Sequence, residues 1–205
     1  MSRFDKEAEG WDHSERRQRM ATDIANTIIA SDILQPSMQL LDFGAGTGLL
    51  TQHIAPYVHK ITALDLSEKM LEQLSQNAIA WHGAEIVTVH SDILNYQTET
   101  LYDGIISSMS MHHVQDIEAL FKHFSYLLKE QGFVAIADLE SEDGTFHSNG
   151  NEGVYHFGFD EKKLTDIVLT NGFKQVSFQQ VHKVHKEQSK IYPVFLMLAI
   201  KSNDQ

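Results

Sequence analysis

The 205-residue chain carries 16 Lys and Arg against 28 Asp and Glu, a formal net charge of −12 with histidine neutral, and 42% of its residues are hydrophobic. That size and apolar content suit one domain with its own core, and the acidic balance, with no basic run beyond Arg16-Arg17 and Arg19, argues against a nucleic-acid surface. Cysteine is absent, which removes disulfides and thiolate chemistry and fits a reducing, cytoplasmic setting; with no leader pattern and no apolar run near the ~18 residues of a membrane span, a soluble, unprocessed protein off the membrane is expected.

Phe4, Ala8 and Trp11 recur at helical spacing among charges. From Ser14, a candidate N-cap with Arg17 where a capping box would carry Glu, the stripe Met20, Ile24, Ile28, Ile29 predicts a helix packed on a sheet. Residues 1–35 are therefore expected to form an N-terminal helical lid or cap, with Phe4 and Trp11 over a ligand, and residues 36–205 the main domain. Pro36-Ser37 breaks the pattern, and Gln39 to Phe43 reads as the first strand. Gly44, Gly46 and Gly48 follow it, and Leu49, Leu50, His53 and Ile54 fit a short helix closed by Pro56. Lys60 to Asp65 is a second strand, and Ser67 caps a helix carrying Met70, Leu71 and Leu74. Glu85 to His90 and Tyr102 to Ser108 are the third and fourth strands. A helix from Asp116 carries Ile117, Leu120, Phe121, Phe124, Leu127 and Leu128 on one face, and Phe133 to Leu139 is a fifth strand ending near Asp138.

Five alternations of strand and helix predict a parallel sheet with right-handed crossovers and helices on both faces. The polar stretch Glu140 to Gly158, which holds His147 and His156, is long enough to suggest a functional loop. A helix over Asp160 to Asn171, stopped by Gly172, precedes two β-rich segments, Phe173 to Val184 and Ile191 to Lys201, expected to pair antiparallel. The predicted fold class is α/β: a single-domain, doubly wound, mostly parallel seven-stranded sheet with a C-terminal antiparallel β pair.

Acids fall at or just past the ends of consecutive strands: Asp42, Asp65 and Asp92. Ligands of open α/β sheets sit outside the carboxyl ends of the strands, and Asp65 follows the glycine turn by about 20 residues, the spacing at which a carboxylate takes ribose hydroxyls. Asp92 is placed to accept from an exocyclic amine, so the set reads as an adenosine site. The spacing of Gly44, Gly46 and Gly48 is G-x-G-x-G, whereas a pyrophosphate turn prefers G-x-G-x-x-G.

With these landmarks the chain resembles the class I S-adenosylmethionine-dependent methyltransferases, particularly small ones similar to the ubiquinone and menaquinone biosynthetic C-methyltransferases, whose sheet is Rossmann-like. Phe4-Asp5 to Trp11-Asp12 is similar to their opening, Leu41 to Gly48 to their first motif, Asp65-Leu66-Ser67 with Met70-Leu71 to their second, and Ser91-Asp92 to their adenine position. Met109-Ser110-Met111-His112-His113-Val114 with Asp116 resembles the segment bordering methionine and substrate. Lys129-Glu130-Gln131-Gly132 departs from the family, which usually has a proline and paired glycines there. The resemblance implies S-adenosyl-L-methionine as cofactor, bound by Asp42, Gly44, Gly46, Gly48, Asp65, Leu66, Met70, Ser91, Asp92, Ile93, Ser108 and Met109, and a small-molecule methyl acceptor.

If the acceptor needs deprotonation, His113 or His112 is the first candidate base. His147, His156 or Tyr155 is expected to touch the acceptor from the 140–158 loop. No metal is expected: His147 and His156 among Glu140, Glu142, Asp143 and Glu152 match no zinc spacing. Two other readings stay open, a nicotinamide-dependent oxidoreductase and a non-catalytic cofactor-binding or interaction module. Oligomeric state and the atom methylated are not encoded in any motif.

Overall fold

The computed structural model describes residues 3–147, 150–186 and 190–203. A short helix α1 (Arg3–Glu7) runs into a 3-10 segment over Ala8–His13. Helix α2 (Glu15–Ala30) begins where the Ser14 hydroxyl accepts from the Arg17 N–H at 3.4 Å. Then follow β1 (Gln39–Phe43), α3 (Thr51–Ile54), β2 (Lys60–Asp65), α4 (Glu68–Ala78), β3 (Glu85–His90), β4 (Tyr102–Ser108), α5 (Ile117–Leu127), β5 (Leu128–Leu139), α6 (Glu161–Thr170), β6 (Phe173–His185) and β7 (Ile191–Lys201). The side chains of Ser67, Asp116 and Asp160 each accept from a first-turn N–H of the helix they precede, which satisfies donors that helix geometry leaves unpaired.

Seven strands form one sheet in the order β3-β2-β1-β4-β5-β7-β6. The first five pair in parallel; β7 runs antiparallel to both β5 and β6. Strand order reverses between β1 and β4, so their carboxyl ends diverge and leave a crevice.

The period of two along each strand divides the core. Leu41, Phe43, Ile105, Val134 and Ile136 point to the face covered by α5 and α6, where they meet Phe121, Phe124, Leu164 and Val168. Leu40, Ile61, Ile106, Phe133 and Ala135 point to the opposite face, against Ile24, Ala25 and Ile28 of α2 and Ile54 of α3. Helix α2 therefore shares the core of the sheet through Ile24, Ala25 and Ile28.

Strand β5 begins five residues before the expected Phe133. Leu128 leaves the helix with extended backbone (φ −93°, ψ 144°) and pairs with Tyr102, and the register shifts between Tyr102 and Gly104. Lys129 to Gly132 make the turn inside this irregularity, with Gln131 in the left-handed region at φ 60°. Pro56 does not end the helix outright; it lies inside a 3-10 turn, Ala55–Tyr57, that continues α3. Among the described residues no helix is long and apolar enough to cross a membrane.

Candidate active site

The glycine turn sits at the end of β1. Gly44 (φ 67°) and Gly46 (φ 56°) are both left-handed, and a Cβ on Gly44 would lie 2.1 Å from Ser110 Oγ, so only glycine lets the end of β4 pass so close. The Gly44 and Ala45 N–H groups both donate to the Leu64 carbonyl, at 2.8 and 3.1 Å, which binds the turn to β2.

The strand-end acids meet this turn. Asp65 accepts from Gly46 N–H through one carboxylate oxygen and from Ser67 N–H through the other, each at 2.8 Å. Burial raises its pKa, and those N–H groups oppose the rise. Asp42 is fully buried and accepts from the Thr51 hydroxyl. Desolvation, with a smaller contribution from the Asp65 charge, pushes its carboxyl up to about 7. Asp92 accepts from the Leu94 N–H at 2.7 Å through one oxygen, capping a 3-10 turn over Ile93–Asn95.

Beyond β4 the chain is tightly held. Met109 takes a left-handed backbone (φ 59°) and donates its N–H to the Ala137 carbonyl at 2.8 Å; strain of this kind gathers at functional sites. His112 follows in a 3-10 turn and is buried. Asp138, buried at the end of β5, accepts from His112 N–H at 3.1 Å, from His112 Nδ1–H at 2.8 Å and from Leu139 N–H at 2.7 Å. A carboxylate only accepts, so the proton is on Nδ1 and the Nε2 lone pair of His112 faces away from Asp138. His113 likewise donates Nδ1–H to the Gly153 carbonyl at 2.7 Å. Burial, together with the neighbouring His112, lowers its pKa to about 4.

These groups line one cavity of about 620 Å³, inside the range of small-ligand pockets. Of the residues expected to bind cofactor, Asp42, Gly44, Gly46, Asp65, Leu66, Met70, Ser91, Asp92, Ile93, Ser108 and Met109 all line it, as do His112 and His113. Two expected residues do not. Gly48 backs the turn: a Cβ there would lie 2.4 Å from the Trp81 ring and 3.0 Å from Leu74, so its glycine serves packing against α4. His156 points away from the cavity toward the Val114 and Gln115 carbonyls, 3.0 and 3.3 Å from its Nε2, and borders a separate pocket beside α6. It anchors the loop, whose Tyr155 and His156 N–H groups also donate to the His112 carbonyl, and Phe146, His147 and Tyr155 are the loop residues that reach the cavity.

The N-terminal segment roofs the site through specific bonds. Thr47 Oγ1 donates to Asp12, Asn77 donates to Asp12 at 2.9 Å, and Ser67 Oγ donates to Asp5 at 2.6 Å. Phe4 stands edge-on to both Trp11 and His113, with centroids 5.9 and 5.3 Å apart, and the Arg17 guanidinium stacks 3.6 Å from the Trp11 ring. Sequence reasoning missed Arg3, Arg16, Arg17 and Lys186 of the lining, which come from both ends of the chain with no motif. It also noted Asp138 without a role; an acid closing a buried strand was the available signal.

The chain matches, over residues 13–180, the family model described as a methyltransferase domain. An uncharacterised methyltransferase of Schizosaccharomyces pombe is 30% identical over 169 residues, 76% of this chain, and the chain spans 58% of that relative's length. Among solved structures, the DhpI–SAH complex superposes with a TM-score of 0.77 at 17% identity, covering 98% of this chain and 94% of that one. The N-methyltransferase NodS of Bradyrhizobium japonicum, in complex with S-adenosyl-L-homocysteine, gives a TM-score of 0.71 at 17% identity, covering 94% and 90%. At those identities the likeness is one of fold.

Proposed function

The chain belongs to the methyltransferase-domain family, and from that premise we propose that it is an S-adenosylmethionine-dependent methyltransferase acting on a small molecule. The observation that carries the reading is the single cavity that joins Asp42, Asp65 and Asp92 to His112 and His113 beneath the Phe4–Trp11 roof. The cofactor supplies a methyl group on a sulfonium. In this reading Asp65 accepts from the ribose hydroxyls, Asp92 from the adenine amine, and the carboxyl of Asp42 faces the methionine ammonium, whose positive charge offsets its cost of burial. Gly44 and Gly46 bring bare backbone against the methionine tail.

Methyl transfer from a sulfonium is an in-line displacement, so holding the acceptor in near-attack geometry and excluding water supplies much of the rate. His113, held near 4, is a weak base at neutral pH, and its role is to line and orient rather than to carry a proton. A roof built from short segments of this chain suits a small acceptor. Arg3, Arg16, Arg17 and Lys186 contribute positive charge to the lining, partly offset by Glu7, which pairs with Arg3 at 2.9 Å and with Arg17 at 3.3 Å, and the excess favours an acceptor bearing negative charge.

The test is titration calorimetry of the full chain with S-adenosylhomocysteine and with NAD, followed by a screen of anionic small molecules for methyl-dependent formation of S-adenosylhomocysteine. Homocysteine-adduct binding with turnover supports the proposal. Tight dinucleotide binding without it overturns the cofactor assignment, and adduct binding with no turnover across acceptor classes supports a non-catalytic module instead.

A further inference from the structure

Three histidines converge inside the cavity. One ring nitrogen each from His112, His113 and His147 lies within 4.8 Å of the others. The rings pack at centroid distances of 4.1 Å for His112–His113, 5.2 Å for His112–His147 and 5.7 Å for His113–His147. His112 and His147 each leave a buried Nε2 with no hydrogen-bond partner among the described residues. Buried polar atoms are rarely left so, and two in one cluster of imidazoles point to a ligand shared between them.

The outer groups are already those of a metal site. Asp138 fixes His112 with Nδ1 protonated and Nε2 free, and the Gly153 carbonyl does the same for His113; a carboxylate or carbonyl behind an imidazole is what orients metal-ligating histidine. Asp138 also places a buried negative charge behind the cluster, on the side away from the cavity. The sequence reading found no metal because it grouped His147 with His156 along the loop; the fold groups it with the strand-end pair.

We propose that His112, His113 and His147 bind one zinc-like divalent ion through three imidazole nitrogens, leaving a coordination position open to the cavity. Imidazole suits zinc, and three protein ligands with an open fourth position distinguish a reactive site from a structural one. With Zn–N distances of ~2.0–2.1 Å, tetrahedral geometry needs nitrogens ~3.3 Å apart, against the 4.8 Å within which these ring nitrogens lie. For the chemistry, and here the inference rests on the methyl-transfer reading, the open position takes a hydroxyl or thiol of the acceptor. Coordination there releases the acceptor proton to solvent; the heteroatom's lone pair then forms the bond to the methyl carbon while the carbon–sulfur bond breaks and its electrons go to sulfur. The acceptor class is therefore a small anionic hydroxyl or thiol compound.

The test uses tag-free full-length chain stripped with chelator, titrated with Co²⁺ while visible absorption is recorded, then competed with Zn²⁺. One equivalent per chain with the intense d–d bands of a tetrahedral ion is expected, displaced by Zn²⁺. His147→Ala and His112→Ala should each weaken binding at least 100-fold, Asp138→Asn by ~10- to 100-fold, and His82→Ala, an exposed control, not at all. Because His112 is buried, circular dichroism accompanies every variant, and the loop variant His147→Ala decides the matter if His112→Ala misfolds. No stoichiometric Co²⁺ or Zn²⁺ binding, or binding that survives His147→Ala, overturns the site. S-adenosylhomocysteine titrated into the same samples separates the two ideas: adduct binding without metal removes the ion and leaves the methyltransferase, and metal without adduct binding does the reverse.

Discussion

Replacing Asp65 with alanine tests the cofactor assignment most directly. The side chain lies at the carboxyl end of β2 with one oxygen on Gly46 N–H and the other on Ser67 N–H. Each oxygen has a second lone pair, and the proposed ribose hydroxyls take those. Loss of two hydrogen bonds to a charged acceptor, partly compensated by water in an open cavity, costs about 2 to 4 kcal/mol, ~30- to ~900-fold in Kd. The variant also leaves two backbone donors without their acceptor, on the half-buried Gly46 and the buried Ser67. The stability cost should therefore reach about 1 to 3 kcal/mol, or ~2–12 °C in Tm for a chain of this size. Calorimetry with S-adenosylhomocysteine reads the first quantity and a thermal melt the second. Wild-type affinity in a folded Asp65→Ala chain would refute the reasoning, since the ribose would then be held elsewhere; a melt lowered by 15 °C would refute the claim that the turn tolerates the loss.

Further outcomes follow from the other parts of the cavity. With Asp42 held up to about 7, a cationic ammonium beside it favours the carboxylate, so binding releases a proton and adduct affinity should rise between about pH 6 and 8. His113 and His147, near 4, do not titrate in that window; Asp42→Asn, which keeps an acceptor for Thr51, should flatten the profile, and a pH-independent wild-type Kd would contradict the placement. Gly48→Ala, with a Cβ 2.4 Å from the Trp81 ring and φ at 89°, should cost about 1–3 kcal/mol of stability yet change adduct affinity little; lost affinity at unchanged Tm would put Gly48 on the ligand side after all. Trp11→Ala removes the ring under Arg17 and beside Phe4 and should weaken cofactor or acceptor binding by ~1–2 kcal/mol with little effect on the melt, because the sheet core does not include Trp11; undiminished binding and KM would remove the roof from the site.

The strand-end half of the cavity was legible in the chain itself. Strand ends, glycine turns and helix caps are local: the period of two, the left-handed turn after β1 and the capping side chains of Ser67, Asp116 and Asp160 depend on neighbours in sequence, and Asp65 and Asp92 are fixed once their strands are parallel. Boundaries that depend on pairing were not legible, and β5 began early because Tyr102 on β4 captures Leu128. Likewise the motif marked three glycines alike, but only α4 packing showed that Gly48 faces Trp81 and Leu74 while Gly44 faces Ser110.

The other half of the cavity was decided by tertiary structure. His147 and His156 stand nine positions apart in one polar loop, and nothing in their spacing separates them. The loop's bonds to the His112 carbonyl turn His156 outward and leave His147 inside, against a histidine pair from the end of β4 and an aspartate from the end of β5. The alternation of strands and helices determined where the cavity lies, because a parallel sheet presents its carboxyl ends together whatever its loops do. Which other side chains line it was settled by the long-range approach of the N-terminal segment, the loop and Lys186 to those ends, contacts between residues far apart in sequence that no local pattern records.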